Sequence, residues 1–248
     1  MPKFFIPKEN INGDTILINS GDVSHISRVL RMSEGDTLLL CDGKGFDYDA
    51  EITEIRPDEI ICKIIEARKS STEPNIEVTL FQGLPKASKM EYIIQKTTEL
   101  GISRIVPCKL SRCVVKLENG KAEAKKIDRW QKIAESAAKQ SGRGIVPEIA
   151  PAASIDEAIA QLKECDIAFA PYECEETQSL KDVLTSVDAP AKIGFIIGPE
   201  GGFDISEIEK LHAAGIKTVT LGRRILRTET AGEAVLAMTM YEKGDINA

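Results

Sequence analysis

Ile196-Ile197-Gly198-Pro199-Glu200-Gly201-Gly202-Phe203 is the stretch on which the reading of this chain turns. An apolar run, Lys-Ile-Gly-Phe-Ile-Ile over residues 192–197, leads into it, and Asp204-Ile205-Ser206-Glu207 opens a helix that Gly215 closes. A buried-type strand therefore enters a loop with three glycines and leaves as a helix. Glycine permits positive φ and close approach of the backbone to a ligand. In open α/β sheets, ligands bind where strands run out into such loops. The pattern is neither GxGxxG nor a P-loop, because no Gly-Lys-Ser/Thr follows, so generic dinucleotide or ATP binding has little support. A second turn of the same kind comes next: Leu221-Gly222-Arg223-Arg224-Ile225-Leu226-Arg227-Thr228-Glu229-Thr230-Ala231-Gly232. Again a strand ends at glycine, and a polar loop precedes a helix. Two such loops in succession can form adjoining walls of one pocket.

Upstream, strands and helices alternate back to Pro74. Residues 76–82, 105–107, 166–170, 192–197 and 218–221 read as strands. Ser88-Lys89-Met90-Glu91 and Ser154-Ile155-Asp156-Glu157 have capping-box form. Residues 125–140 carry Trp130, Ile133, Ala134, Ala137 and Ala138 at helical spacing, which packs Trp130 into the core. The last helix is expected to open at Thr230 and run to about Glu242. Its small and apolar residues can pack on its own sheet or on a partner. Such alternation indicates an α/β domain with a mostly parallel sheet. The first 72 residues differ: residues 37–41, 50–55 and 60–65 are strand-like, separated by Asn12-Gly13 and Asp42-Gly43 turns, which suggests a small β-barrel. Residues 24–30 suit a short helix capped by Ser24, and residues 68–74 a linker. The expected boundary separates residues 1–72 from 73–248.

The chain has 248 residues, a net charge of −7 and 42% hydrophobic content, which excludes wholesale disorder. No apolar run approaches the ~18–20 residues of a membrane span, and the start shows no secretory signal pattern, so a cytoplasmic protein is expected. Six cysteines without CxxC spacing and two histidines, His25 and His212, leave no zinc cage and suggest reduced thiols. His212 is expected at the surface. The charge is uneven: residues 83–147 hold 14 Lys and Arg against 6 Asp and Glu, whereas residues 148–214 hold 4 against 14. A local basic field inside an acidic protein is what binding to a polyanion such as RNA needs.

Four stretches carry a resemblance. They are His25-Ile26-Ser27-Arg28-Val29-Leu30-Arg31; Lys86 to Lys89 with Gln95-Lys96-Thr97-Thr98-Glu99-Leu100-Gly101; Arg129-Trp130 with Glu135, Gln140, Ser141 and Arg143; and Gly198-Pro199-Glu200-Gly201-Gly202 with Leu221-Gly222 and Ile225-Leu226-Arg227-Thr228-Glu229-Thr230-Ala231. Together, and in this order along the whole chain, they resemble the RsmE family of bacterial 16S ribosomal RNA uridine N3-methyltransferases, in the SPOUT superfamily. The resemblance implies an α+β two-domain fold: a small N-terminal PUA-like β-barrel that binds RNA, and a C-terminal α/β SPOUT domain with a trefoil knot. It also implies S-adenosylmethionine as cofactor, 16S rRNA of the small ribosomal subunit as partner, a homodimer, and neither metal nor membrane. The knot is an exception to the unknotted-chain rule and rests on resemblance alone. The cofactor positions would be Gly198, Pro199, Glu200, Gly201, Gly202, Leu221, Gly222, Ile225, Leu226 and Thr230, with Pro171 and Tyr172 as a third wall.

Uridine N3 carries a proton and becomes a nucleophile only when that proton leaves, so the reaction needs a base or cations that stabilise the deprotonated ring. Arg112 and Arg227 are candidates for the cation, with a structural ion pair the alternative for Arg227. Glu229 or Glu200 could accept a proton if burial raised its pKa, with helix N-terminal stabilisation the alternative for Glu229. RNA contacts are expected at Arg28 and Arg31 in the barrel and at Lys86, Lys89, Arg112, Arg129 and Arg143 beyond it. Two other functions remain possible: a ribose 2′-O-methyltransferase, or an rRNA-binding assembly factor without catalysis.

Overall fold

Alternate apolar residues turn one face of each early strand inward. Leu38 and Leu40, Ala50 and Ile52, and Ile60 and Cys62 are all buried. In the computed structural model they belong to a six-stranded mixed sheet. Its strands are β1 (Lys3–Phe5), β2 (Ile11–Asn12), β3 (Thr15–Ile18), β4 (Thr37–Cys41), β5 (Phe46–Ile55) and β6 (Ile60–Lys69), in the order β1-β4-β5-β6-β3-β2. β1 runs parallel to β4, and every other pair is antiparallel. Two register shifts in β5, at Asp49/Ala50 and Ile52/Glu54, mark bulges of the kind that bend a strand and curl a sheet. The structure describes residues 3–19, 21–116 and 120–246; Met1 and Pro2 of the N-terminal stretch lie outside them.

The chain divides into two units, residues 1–73 with 138–146, and residues 74–137 with 147–248. The first unit corrects two expectations. A short helical segment is present as expected, α1 (Asp22–Ser24) continuing into the wider-wound His25–Val29, but it starts before Ser24, which lies inside it and makes no capping bond. Residues 68–74 are no slack linker either. β6 runs to Lys69, and the Glu73 carboxylate accepts the N–H groups of Gly144 at 2.7 Å and Ile145 at 3.0 Å, and the Arg143 guanidinium at 2.7 Å. This is why 138–146 counts with the first unit, which a boundary at 72 does not anticipate. With Arg143 4% and Glu73 13% exposed, removing one partner would strand a buried charge, at a cost of about 3–5 kcal/mol.

The second unit is a sheet whose strand pairs are all parallel. In chain order it contains β7 (Glu77–Gly83), α2 (Lys89–Glu99), β8 (Arg104–Lys109), α3 (Lys121–Ser141), β9 (Glu148–Ile149), β10 (Ala153–Ser154), α4 (Ile155–Leu162), β11 (Ile167–Pro171), α5 (Leu180–Leu184), β12 (Lys192–Ile197), α6 (Ile205–Ala213), β13 (Lys217–Val219) and α7 (Thr228–Lys243). The strand order is β10-β8-β7-β12-β11-β13, with β9 beside β8. Central β12 is buried from Ile193 to Ile197, the continuous apolar run of a strand covered on both faces. Phe81 and Ile196 join a cluster with Leu162 of α4 and Leu211 of α6, while Leu80 and Ile197 approach Gly232 of α7. Leu236 of α7 is fully buried, worth about 1.5–3 kcal/mol against leaving it exposed.

Helix starts follow the sequence unevenly. Ser154 and Asp204 each complete a capping box, with Glu157 and Glu207. Ser88 makes no capping bond. α7 opens at Thr228, two residues before the expected Thr230, because Arg227 already supplies the extended residue that precedes a helix (φ −65°, ψ 153°). Trp130 is buried and His212 exposed, as expected. All six cysteines are free thiols, and burial pushes Cys41 and Cys62 up to about 11, which keeps them protonated and unreactive at neutral pH. Among the described residues no helix is long and apolar enough to cross a membrane, and no cluster of His, Cys, Asp and Glu could hold a metal.

Candidate functional site

β12, β11 and β13 are neighbours in a parallel sheet, so their carboxyl ends open on one side. The loops that follow them bound a cavity of about 950 Å³. Of the expected cofactor positions, Pro171, Tyr172, Gly198, Pro199, Glu200 and Gly202 line it. So do Leu221, Gly222, Ile225 and Leu226, although the Ile225 side chain is 85% exposed and adds little wall.

Gly201 and Thr230 do not line it. The Gly201 carbonyl accepts a hydrogen bond from Arg112 Nη1 at 3.0 Å, and this residue packs against the Arg112 side chain instead. Thr230 is exposed in the first turn of α7. Thr228, unforeseen, takes its place: its Oγ1 donates to the Gly198 carbonyl at 2.7 Å and accepts from buried Gln82 Nε2 at 2.9 Å. A side chain at the true helix start thus ties α7 to the ends of β12 and β7. The signal was the Thr-Glu-Thr run, in which either threonine fits a helix start.

The loop after β12 is held on every side. The Gly202 N–H donates to the Pro199 carbonyl at 2.9 Å, with Gly202 at φ +68°. A Cβ on Gly198 would lie 3.2 Å from the Gly202 carbonyl carbon and 3.3 Å from the Phe203 nitrogen. Ahead of α2, Ala87 adopts left-handed backbone at φ +53°, a strained choice for a residue with a side chain. It lies between Lys86, whose N–H donates to Glu200 Oε1 at 3.0 Å, and Lys89, whose Nζ stands 3.1 Å from Glu200 Oε1 and 3.1 Å from Glu229 Oε2. Lys89 therefore ties the loop after β12 to the first turn of α7 and also lines the cavity.

Burial works against the charge on Glu200 and Glu229, but backbone N–H groups and the Lys89 ammonium outweigh it and hold both carboxyls below their ordinary pKa. The direction is opposite to the rise that a base at either position would need. A depressed pKa suits an anion that stays charged, not one that takes a proton near neutral pH.

The loop after β13 is loosely held. Gly222 sits at φ +93°, and its N–H donates to Thr220 Oγ1 at 3.2 Å. Among the described residues, 221–226 make no other hydrogen bond. Arg223, Arg224 and Arg227 line the cavity without an ion pair among the described residues, though the charge of Arg227 helps hold the Glu229 carboxyl down. The third wall carries Glu173, Glu175 and Glu176. Glu175 accepts from Thr177 Oγ1 at 2.7 Å, Thr218 Oγ1 at 2.7 Å and the Thr177 and Gln178 N–H groups at 2.9 and 3.1 Å, bonds that hold its pKa at about 2.

The expected RNA contacts separate into three groups. Arg28, Arg31 and Lys86 are exposed. Arg129 is 68% exposed but pairs with Glu91 at 2.6 Å, and Arg112 stands 3.6 Å from Asp204, outside the cavity lining. Lys89 is held by two carboxylates and Arg143 is buried against Glu73, which removes Arg143 from any RNA surface.

Residues 72–240 match a family model described as an RNA methyltransferase domain, and residues 18–65 one described as an RNA methyltransferase PUA domain. The chain is 36% identical to ribosomal RNA small subunit methyltransferase E of Bacillus subtilis (strain 168), over 98% of this chain and 97% of that one. It is 30% identical to the protein of that name from Synechocystis (strain ATCC 27184 / PCC 6803 / Kazusa), over 95% of this chain and 76% of the relative. Among solved structures, a ribosomal RNA small subunit methyltransferase E from Neisseria gonorrhoeae, bound to S-adenosyl methionine, superposes with a TM-score of 0.84 at 32% identity, covering 99% of both chains.

Proposed function

The chain belongs to the ribosomal RNA small subunit methyltransferase E family, and from that premise we propose that it methylates N3 of a uridine in 16S ribosomal RNA, with S-adenosylmethionine as donor. The observation that carries this reading is the cavity at three parallel strand ends, bounded by two glycine-bearing loops, the first of which Lys89 ties to the start of α7. Its volume, about 950 Å³, suits a ligand of nucleoside size with a side arm, since such sites run to about 300–1,000 Å³. The Gly198 backbone forms a cradle that a Cβ would fill, Leu221 and Leu226 offer apolar wall, and Glu173 and Glu176 give the lining negative charge that would suit a cationic ligand. These features fit the donor. Gly198, Pro199, Glu200, Gly202, Leu221, Gly222 and Leu226 would hold it, with Pro171 and Tyr172 as third wall and Ile225 contributing backbone.

When bound, S-adenosylmethionine supplies a methyl group carried on a sulfonium. Arg227, at the cavity and in no ion pair among the described residues, favours the deprotonated uridine ring through its fork of donors, so that the N3 proton passes to water. Arg112 steadies the first loop from outside through the Gly201 carbonyl and is a positioning residue. We read the curled sheet of the first unit as a PUA-like barrel offering exposed Arg28 and Arg31 to RNA. The chain's passage from β12 beyond β11 to β13, with α7 returning to β12 and β7, supports a trefoil knot. Met238 and Tyr241 of α7, 41% and 61% exposed, support a homodimer.

The test is incubation with labelled S-adenosylmethionine and unmodified small subunits, followed by nucleoside mass spectrometry. 3-Methyluridine is the expected product; a 2′-O-methyl nucleoside, or no methylation despite donor binding, refutes the reading.

A further inference from the structure

The arginines of the second unit fall into two sets. Arg104, Arg112 and Arg129 face the carboxylates of Glu148 at 3.0 Å, Asp204 at 3.6 Å and Glu91 at 2.6 Å. Arg223, Arg224 and Arg227 make no ion pair among the described residues, although all three lie in one short loop beside the cavity; Arg227 still acts on the Glu229 carboxylate, whereas Arg223 and Arg224 do not. Arg223 and Arg224 are exposed, and the residue after them, Ile225, is 85% exposed, the highest value among the exposed large apolar residues. Like charges crowded in one loop repel, and an exposed β-branched side chain costs hydration. The fold leaves both uncompensated at the rim of its ligand cavity.

A nucleic-acid strand would compensate both. The guanidinium fork matches a phosphate in two parallel hydrogen bonds. An apolar side chain beside it can pack on a base or fill the gap left by an extruded one. The reaction asks for the same arrangement. A uridine whose N3 enters a cavity must leave its stack, and the phosphates on either side then stand at the rim. We propose that the Arg223-Arg224-Ile225 tip grips the RNA strand at the target: the two guanidiniums hold the phosphates flanking the uridine, and Ile225 packs on the adjoining base. This rests on the RNA-methylating reading above.

The experiment uses the whole protein and unmodified small ribosomal subunits. Binding is measured by filter retention across a potassium chloride series, donor affinity by calorimetry and turnover by nucleoside mass spectrometry. For Arg223→Ala/Arg224→Ala, subunit affinity should fall at least tenfold. The slope of log affinity against log salt should shrink by about 1.4–1.8, at ~0.7–0.9 per phosphate contact. Donor affinity should stay within twofold. Arg223→Lys/Arg224→Lys should restore most of the slope, a recovery that loop geometry alone would not produce. Ile225→Ser should weaken subunit binding a few-fold with the slope unchanged. Unchanged affinity and slope in the double alanine variant overturn the proposal. So does a matching loss of donor affinity, which would put these arginines in the cofactor wall. A wild-type protein that binds subunits with this arginine-dependent slope yet forms no 3-methyluridine sinks the proposed reaction and leaves the grip standing.

Discussion

The two glycine-bearing loops occupy matching positions after neighbouring strand ends, yet they are built differently. Residues 198–203 are held by Thr228, by the Lys86 N–H, by Lys89, by Arg112 and by an internal bond from Gly202 to Pro199. Residues 221–226 have a single bond among the described residues, from Gly222 to Thr220. Segments with few hydrogen bonds and little burial open at low free-energy cost. One wall is therefore set before any ligand arrives, and the other can adjust to what it meets. That division suits a site that must recognise a small donor with fixed backbone groups and also admit a nucleotide still attached to a large RNA.

The comparison breaks most sharply at glycine. Gly198 has no room: an added Cβ meets backbone at 3.2 and 3.3 Å, atoms that cannot give way without moving the loop. Gly198→Val should reduce donor affinity at least 100-fold, about 2.8 kcal/mol at ~1.4 kcal/mol per tenfold, by calorimetry. Gly222 has room, with nothing within 4 Å of its Cβ, but a φ of +93°. Gly222→Ala meets backbone strain of about 1–2 kcal/mol, part of which a loose loop can relax, so a loss of about fivefold is expected. Equal losses at the two glycines would remove the distinction between the walls.

Lys89 ties the held wall to the first turn of α7, just beyond the free one. Lys89→Met removes the ammonium that stands between Glu200 and Glu229, and leaves both carboxylates without that ion pair. Donor affinity should fall roughly 20-fold, because like charges left together disfavour the closed arrangement. Lys89→Arg should recover most of it. If Lys89→Met instead left donor affinity intact and weakened only subunit binding, the sequence-level assignment of this lysine to RNA would stand. A finer division concerns two threonines. Thr228→Val loses the bond to the Gly198 carbonyl and leaves Gln82 Nε2 with one acceptor fewer; a loss of about fivefold is consistent with ~1 kcal/mol for a neutral hydrogen bond. Thr230→Val should change donor affinity less than twofold.

Those threonines also show what the sequence could carry. The parallel sheet was legible because β12 and its neighbours are apolar runs bounded by turn residues, and the helices after Ser154 and Asp204 because their capping boxes are local chemistry. The two loops at the cavity were legible for the same reason, since glycines mark where backbone must come close, and the family resemblance named particular positions within them. What escaped depends on contacts far apart in the chain. Thr228 could not be separated from Thr230 without knowing that Gly198, 30 residues away, needs a donor. Arg143 looked like an RNA contact in a basic stretch until Glu73, 70 residues away, was found beside it. Lys89 reads in the sequence as an RNA contact, whereas the fold sets its ammonium between Glu200 and Glu229. Charge counted along the chain records how many cations a segment has, and only the fold records which are already paired.

The third wall sharpens the comparison by the smallest effect. It follows β11, and its Glu175 is held as firmly as anything in the first loop, by two hydroxyls and two N–H groups. Those bonds favour the carboxylate and bring its pKa from the ordinary 4.5 to about 2. The sign of the pH effect follows. A carboxyl whose folded pKa is depressed contributes stability that is fully present above its unfolded pKa, near 4.5, and is lost as pH falls through about 2. Glu175 is largely solvated, so screening discounts the effect, and Glu175→Gln should lower the melting temperature by only about 1–3 °C at pH 7. The gap between the two proteins should hold down to about pH 4.5, narrow below it and close near pH 2. A gap independent of pH would mean that Glu175 holds its wall through shape rather than charge. That wall would then be less firmly set than the loop after β12, and only one of the three strand ends would be fixed by ionic bonds.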